Sequence, residues 1–196
     1  MPRPIYIYAD ESCLGNQYMD RDSPGGAAAL LEAWRGGGWE RKDVWLSEPA
    51  STNNRMALQG AAAALRALRR PCDVIFVSDS QYVVKGMREW VAGWVRKEWK
   101  RKTGPVENRA LWQTLLDAVA RHRIDWRWVR GHAGHPQNEY ANDLAIRAAR
   151  EQTASGGAVP SGFEAWLEEQ REKGRYVDFI EHAPPPEEAF RPARMP

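Results

Sequence analysis

The sequence predicts an α/β protein with a mixed sheet of five strands, three antiparallel strands followed by parallel ones, flanked by helices. Two short runs rich in β-formers, residues 5–9 and 74–78, each lead directly into an aspartate, Asp10 and Asp79. A long Ala/Leu/Arg segment, residues 55–70, separates the two runs and is predicted to be a helix. A strand reached through a helical crossover is usually parallel to its sheet neighbour. If these two strands are neighbours, both aspartates end side by side at one edge of the sheet.

An antiparallel meander is predicted after the first strand and a polar loop. Pro24, Gly25 and Gly26 are expected to turn the chain into a second strand over residues 27–34. The sequence Arg-Gly-Gly-Gly at residues 35–38 is a strong hairpin signal, and a more polar third strand follows. The first three strands therefore form one antiparallel unit.

Helices and a last strand are predicted downstream. Ser51, Thr52, Asn53 and Asn54 are favoured helix N-cap residues and precede the first helix. The remaining predicted elements are a helix over 80–102, a helix over 108–122, a strand from Ile124 to Val129 and a helix over 137–151. A loop with the sequence Arg-Gly-His-Ala-Gly-His-Pro, residues 130–136, joins the last strand to the last of these helices.

Residues 84–102, which we call the handle, form a basic segment rich in tryptophan. The handle contains seven Lys and Arg residues and two Glu residues, whereas the whole chain has a net charge of only +2. Trp90, Trp94 and Trp99 are interleaved with these cations, and the first two lie four residues apart on one helical face. The alternative is that this face belongs to the core. We expect an aromatic-lined protrusion that grips a nucleic-acid backbone.

Composition argues against several classes of protein. Cys13 and Cys72 lie far apart and form no CxxC motif, which argues against a zinc site and against a disulfide framework. No apolar segment approaches the length of a membrane span, and the chain does not open on a basic region followed by an apolar run. We therefore expect a cytoplasmic protein without a membrane partner, and we expect a monomer.

The chain is predicted to hold one domain and a C-terminal appendage. The domain spans residues 1–152 and includes the handle, and residues 153–162 form a linker of small residues. Residues 163–196, which we call the tail, are predicted to form a short helix followed by a disordered Pro-rich end over 184–196. We expect the helix to pack back on the domain, and the alternative is that it docks a partner protein.

Together these features resemble type 1 ribonuclease H over about residues 5–150. The segments that carry the resemblance are Asp10-x-Ser-Cys-Leu-Gly-Asn, Thr52-Asn-Asn-Arg-Met, Ser78-Asp-Ser-Gln-Tyr-Val, the handle and Gly131-His-Ala-Gly-His-Pro-x-Asn-Glu. The resemblance implies a ribonuclease H-like fold. It also implies an endonuclease that cleaves the RNA strand of an RNA/DNA hybrid with two Mg²⁺ or Mn²⁺ ions, which are held by oxygen ligands.

The resemblance assigns roles to individual residues. Asp10 would bridge both metal ions, and Asp79 would be the next ligand. His132, on a loop flanked by glycines, would assist proton movement or product release, and the alternative is a histidine that only structures this loop. The positions that would contact nucleic acid are Asn16, Thr52, Asn53, Asn54, Gln81, Trp90, Trp94, Lys97, Trp99 and Lys100. Several of these would lie along the minor groove, where 2′-hydroxyls distinguish RNA from DNA.

Two of the four carboxylates expected of this family are missing. Ala57 stands where a glutamate is expected, and Asn142 stands where an aspartate is expected. Three residues could compensate. Glu11 follows Asp10 but should point to the opposite face of its strand, and Asp143 should be rotated by about 100° on its helix. Asn142 can still offer a metal a neutral oxygen.

Removing two negative charges from a site for two divalent cations predicts weak or absent cleavage, with hybrid binding retained. Three interpretations follow: a ribonuclease H that was deliberately disabled, a natural member that lost catalysis and serves as a hybrid-binding or protein-interaction module, or a natural active enzyme with a rearranged site that uses Glu11 or Asp143. A structure-specific DNA nuclease on the same fold is a further alternative.

Overall fold

The protein forms one six-stranded mixed sheet with helices on both faces. The computed structural model describes residues 3–15, 23–101, 103–131, 134–182 and 189–193. In chain order the elements are β1 (Ile5–Cys13), β2 (Ser23–Arg35), β3 (Gly38–Ser51), α1 (Asn53–Arg66), β4 (Asp73–Ser78), α2 (Gln81–Lys85), a π-helical turn (Gly86–Trp90), α3 (Val91–Arg96), β5 (Lys100–Arg101), β6 (Gly104–Pro105), α4 (Arg109–Val119), β7 (Arg123–Trp128), α5 (Pro136–Glu151), β8 (Val159–Pro160) and α6 (Phe163–Glu172). The strand order is β7-β4-β1-β2-β3-β8.

The sheet joins an antiparallel half to a parallel half at β1. β1 pairs antiparallel with β2 and parallel with β4, and β4 pairs parallel with β7. The predicted mixed fold is confirmed. The predicted number of strands was five because the sixth strand, β8, comes from a segment that carries little strand signal.

Two glycines expected in a turn lie inside β2 instead. A Cβ atom on Gly25 would collide with the Met56 side chain, and one on Gly26 would collide with the backbone of α5 at Ala145 and Ala149. Glycine is therefore required here because helices from both faces approach the strand closely, and not because the chain turns.

The two faces of the sheet have separate cores. On one face, Ile7, Phe76 and Trp126 pack against α1 and α4. On the other face, Ala28 and Leu30 pack against α5 and α6. The alternation of side chains along β1 and β2 places neighbouring residues in different cores, which fixes the register of the pairing.

The predicted long helix over 80–102 is interrupted in the structure. α2 passes into the π-helical turn at Gly86–Trp90, and α3 ends at Arg96. Glu98 and Trp99 adopt left-handed backbone conformations, with φ of 52° and 65°, and turn the chain into the short β5–β6 hairpin. A continuous helix cannot pass through residues in this conformation.

The segment 153–162, expected to be a linker, forms part of the sheet. β8 pairs antiparallel with β3, with Pro160 opposite Lys42 and Val159 opposite Asp43. The segment therefore covers one edge of the sheet and delivers the chain to α6.

The helix of the tail packs on the domain. Phe163 and Leu167 are buried against Tyr140 of α5. The Trp166 indole stacks on Phe163 at 6.0 Å between ring centroids, and its Nε1 donates a hydrogen bond to Asp143 Oδ2 at 2.8 Å. α6 therefore covers apolar surface that β2 and α5 would otherwise expose.

The far end of the tail docks on the opposite edge of the sheet. Residues 189–193 lie along β7, and this stretch was expected to be disordered. The main-chain N–H of Ala193 donates to the Ile124 carbonyl at 2.9 Å, and that of Arg191 donates to Asp125 Oδ2 at 3.2 Å. No sequence pattern predicts this contact, because a strand edge accepts main-chain partners of almost any sequence.

Arg41 on β3 connects the tail to the sheet. Its Nε donates to Glu32 Oε1 at 2.7 Å, its Nη1 to Glu164 at 3.1 Å and its Nη2 to Glu181 at 2.9 Å. The side chains of Arg41 and Glu32 are only 5% and 2% exposed, so this pair is desolvated. Burial of both charges makes the loss of either partner costly.

Candidate active site

Three carboxylates converge at one edge of the sheet. Asp10 and Glu11 lie near the end of β1, and Asp79 directly follows β4. One oxygen from each carboxylate lies within 4.8 Å of the others, with Asp10 buried and the other two half-buried. Such a group of oxygen ligands suits a hard divalent cation.

The pairing of β1 with β4 brings Asp10 and Asp79 together. The last residues in register are Ala9 and Ser78, and each is followed by one of the two aspartates. The prediction that both aspartates end side by side is therefore confirmed.

The prediction that Glu11 points away from the site is wrong. Successive side chains along a strand point to opposite faces of the sheet. Glu11 is still paired with Ala27 of β2, so alternation applies to it, but it lies two residues beyond the last β1–β4 pair, at Ala9 and Ser78, where β4 no longer flanks β1. There the longer glutamate side chain reaches the same space as Asp10 and Asp79.

The site disfavours negative charge in the absence of a cation. Burial, followed by the charge of Asp79, raises the pKa of Asp10 to about 8. Burial, followed by the charges of Asp10 and Asp79, raises the pKa of Glu11 well above its ordinary value. Carboxylates that are desolvated and repel one another gain the most from a bound cation.

A buried asparagine on α5 holds Asp10 in place. Asn138 Nδ2 donates to Asp10 Oδ2 at 2.9 Å, and the Glu11 main-chain N–H donates to Asp10 Oδ1 at 2.7 Å. Sequence reasoning assigned Asn138 no role, although it lies in the loop-and-helix motif and precedes Asn142 by four residues. Because positions four apart share a helical face, Asn142 lies on the side of α5 that faces the site.

Asp143 and Ala57 lie outside the group of three carboxylates. The Asp143 carboxylate accepts the Trp166 indole N–H and is exposed to solvent. Ala57 is buried in the core under α1, one turn after Asn53. Of the two carboxylates considered as replacements, the structure places Glu11 in the group of three and not Asp143.

The loop before α5 reaches the carboxylates. A Cβ atom on Gly131 would lie 2.4 Å from Asp79 Oδ2, so a larger residue here would displace that carboxylate. Trp128 Nε1 donates to the Asp79 carbonyl at 2.9 Å. His132 and Asn16, two of the predicted site residues, lie outside the described residues.

Polar residues expected to contact nucleic acid surround this edge. Thr52 is the N-cap of α1, and its hydroxyl accepts the Arg55 N–H at 3.4 Å. Thr52, Asn54 and Gln81 are exposed, and Asn53 carries a buried Oδ1 without a hydrogen-bond partner among the described residues. Gln81 begins α2, two residues after Asp79.

The handle tryptophans pack on one another. Trp94 lies 5.8 Å from Trp90 and 6.3 Å from Trp99 between ring centroids, and Trp99 is buried. Trp90 and Trp94 line a cavity of about 280 Å³. The predicted contact of Trp99 with nucleic acid does not fit its burial. Trp94 lies on the helical face for which a place in the core was the alternative, and it is half-buried and packs against the core. Lys97 and Lys100 are exposed.

The family of the protein is decided by comparison. The profile of the RNase H family matches residues 2–150. The chain belongs to the RNase H family. Ribonuclease H of Granulibacter bethesdensis is 50% identical over 148 residues, which cover 75% of this chain and 93% of that protein. Ribonuclease H of Xanthomonas oryzae pv. oryzae is 49% identical over 151 residues, which cover 76% of this chain and 95% of that protein. The predicted resemblance and the class, a ribonuclease H-type endoribonuclease, are confirmed.

Solved structures agree with this assignment. LC9-RNase H1, described as a type 1 RNase H with the type 2 active-site motif, is 49% identical with a TM-score of 0.87, and the match covers 99% of this chain and 94% of that one. The PFV RNase H domain is 15% identical with a TM-score of 0.63, and the match covers 77% of this chain and 97% of that one. At this identity the likeness supports the fold alone. The match to LC9-RNase H1 extends through the tail of this ribonuclease H, whereas the family profile ends at residue 150.

The described residues include no helix with both the length and the apolar character needed to cross a membrane.

Proposed function

We propose that this chain is an active endoribonuclease that cleaves the RNA strand of RNA/DNA hybrids at a rearranged metal site. Glu11 takes the place of the carboxylate missing at Ala57. Asp10, Glu11, Asp79 and Asn142 would hold the ions.

One observation carries the proposal. Oxygen atoms of three carboxylates lie within 4.8 Å of one another, and two metal ions in such sites are typically about 4 Å apart. The third carboxylate is that of Glu11 on β1, so the site contains three carboxylates and not two. LC9-RNase H1, a similar protein, is described as a type 1 RNase H with the type 2 active-site motif, which supports a rearranged site on this fold.

The residues fit divalent cations on physical grounds. The raised pKa values of Asp10 and Glu11 show that the metal-free site disfavours three charges, and oxygen ligands favour Mg²⁺ or Mn²⁺. When bound, the ions would activate water and stabilise the charge that develops on the phosphate.

The protein residues orient the site. Asn138 fixes one oxygen of Asp10 by a hydrogen bond and leaves the other to the Glu11 main chain. A ligand whose orientation is fixed in advance loses less entropy when a metal binds. Asn142, one turn further along α5, would add a neutral oxygen without increasing the repulsion among the carboxylates.

The surrounding polar groups would select the hybrid. Thr52 and Asn53 at the start of α1 and Gln81 at the start of α2 lie where a minor groove could pass the carboxylates, and an RNA strand offers 2′-hydroxyls there. The exposed lysines of the handle would support the DNA strand by charge.

We also propose that the protein acts in the cytoplasm, in keeping with its two free cysteines, and that it acts as a monomer.

The test is cleavage of a labelled RNA/DNA hybrid in Mg²⁺ and in Mn²⁺. The chain as it stands is compared with the double variant Ala57→Glu/Asn142→Asp, with Asp10→Asn as the inactive control. We expect the chain itself to cleave the hybrid, and to leave double-stranded RNA and double-stranded DNA intact. If only the double variant cleaves while the chain still binds the hybrid, the protein is a non-catalytic hybrid-binding module and the proposal fails.

A further inference from the structure

A second cavity lies away from the carboxylates, where the far end of the tail meets β7 and the base of the handle. Its volume is about 640 Å³. Arg88, from the π-helical turn, and Arg127, from β7, line it together with Arg191 and Ala193 of the tail. The cavity therefore exists only because residues 189–193 dock on the edge of the sheet.

The cavity carries an excess of positive charge. Three guanidinium groups and a single carboxylate, that of Asp125, line it. Asp125 Oδ2 already accepts hydrogen bonds from Arg127 Nη2 at 2.8 Å and from the Arg191 main-chain N–H at 3.2 Å. The one acidic group is thus compensated within the protein, and it repels an anion weakly.

Two of the guanidinium groups have no partner. Among the described residues, neither Arg88 nor Arg191 makes a side-chain hydrogen bond, an ion pair or a stacking contact. Cationic side chains that line one concave space without protein acceptors are placed to receive an anion.

A buried hydrogen-bond donor lies beside them. Trp126, also in the lining, is 2% exposed, and its Nε1 has no acceptor among the described residues. A buried donor without a partner destabilises the fold. The main-chain N–H of Trp126 points to the same free edge of β7 as the Ile124 carbonyl, because groups two residues apart on a strand share one edge.

From these observations we propose that the cavity is a binding site for a phosphate group, held by Arg88 and Arg191 next to Trp126. Guanidinium groups match the oxygens of phosphate in spacing and in charge. The group could belong to a nucleic-acid strand that extends past the handle, or to free phosphate. Only the first source rests on the proposed function.

The experiment follows the indole N–H signal of Trp126 in the ¹⁵N-labelled full-length protein, assigned with Trp126→Phe. The protein is titrated with inorganic phosphate in the millimolar range and, separately, with an RNA/DNA hybrid in the presence of EDTA, which prevents metal-dependent cleavage. Binding is therefore observed whether or not the protein is an active nuclease.

The expected result is a shift of the Trp126 signal with one or both additions. Arg191→Ala and Arg88→Ala should each weaken the binding roughly tenfold. The matched control is Arg70→Ala, which removes an exposed arginine before β4 and should change nothing. Arg88 lies outside the tail, so its variant tests the site even if Arg191→Ala also loosens residues 189–193.

The two sources give different results. If the phosphate belongs to nucleic acid, the hybrid shifts the signal, and Arg88→Ala lowers the salt dependence of hybrid binding by about one unit in the log–log slope. If the source is free phosphate, only inorganic phosphate shifts the signal. No shift with either addition, or equal affinities for Arg88→Ala and Arg70→Ala, would overturn the proposal.

Discussion

Replacing Glu11 by glutamine tests the rearranged site most directly. The amide keeps the size of the side chain but removes one of the three negative charges that lie within 4.8 Å of one another. The same change should therefore have opposite effects on the metal-free protein and on metal binding.

The magnitude follows from the distance between the charges. Two unit charges 4.8 Å apart interact by about 3.5 kcal/mol at an effective dielectric constant of about 20. Without metal, Asp10 relieves part of this repulsion by holding a proton, since its pKa is raised to about 8. We therefore expect Glu11→Gln to stabilise the metal-free protein by only about 1–2 kcal/mol, which raises the melting temperature by roughly 5 °C. With metal, the lost attraction should lower the affinity by about two orders of magnitude.

Three measurements separate these effects. Thermal unfolding in EDTA reports the metal-free stability, calorimetric titration with Mn²⁺ reports the affinity, and cleavage of a labelled hybrid reports the activity. The matched control is Asp143→Asn, which likewise replaces one carboxylate by an amide. The Asp143 carboxylate lies outside the group of three and accepts a hydrogen bond from the Trp166 indole. This control should retain metal affinity and cleavage.

The reasoning would be refuted by one particular result. If Glu11→Gln binds Mn²⁺ and cleaves the hybrid as the parent chain does, Glu11 is not a ligand. If Asp143→Asn loses cleavage instead, the third carboxylate ligand is Asp143 of α5. The Glu11 carboxylate then plays no part in catalysis.

Further predictions concern stability. In EDTA, the free energy of unfolding should fall as the pH rises from about 4 to about 8, because burial raises the pKa of Asp10 from 3.8 to about 8 and the unfolded state then releases its proton first. Denaturation at several pH values should show this slope, and Asp10→Asn should flatten it. Arg41→Met should destabilise the fold by about 3–5 kcal/mol, because it leaves the Glu32 charge buried and unpaired. Urea unfolding measures this, and adding Glu32→Gln should recover part of the loss. Deleting residues 161–196 should lower the melting temperature by about 10 °C, because it exposes the surface under fully buried Phe163. An unchanged melting temperature would show that α6 adds nothing to stability.

Local patterns predicted the part of the site that depends on strand ends. The runs before Asp10 and Asp79 have the composition of buried strands, and the helix between them requires a crossover. These two facts predict that both aspartates lie at one edge if the two strands are neighbours, which the structure shows.

The same local rules failed for Glu11. Alternation predicts opposite faces for adjacent residues, but it does not limit how far a long side chain reaches past the end of a neighbouring strand. The end of the β1–β4 pairing, at Ala9 and Ser78, is a property of two strands about seventy residues apart, and the Glu11 carboxylate reaches the space beyond that end.

The sequence by itself determined the fold family, the two strand-terminal aspartates, the cationic handle and the absence of carboxylates at Ala57 and Asn142. These features depend on residue type and spacing within short segments. Only the tertiary structure placed the Glu11 carboxylate beside Asp79, Asn138 against Asp10, β8 on one edge of the sheet and the end of the tail on the other. Each of these contacts joins segments that are not neighbours in sequence or lies beyond regular pairing, so its geometry depends on how the whole chain packs and not on local preference.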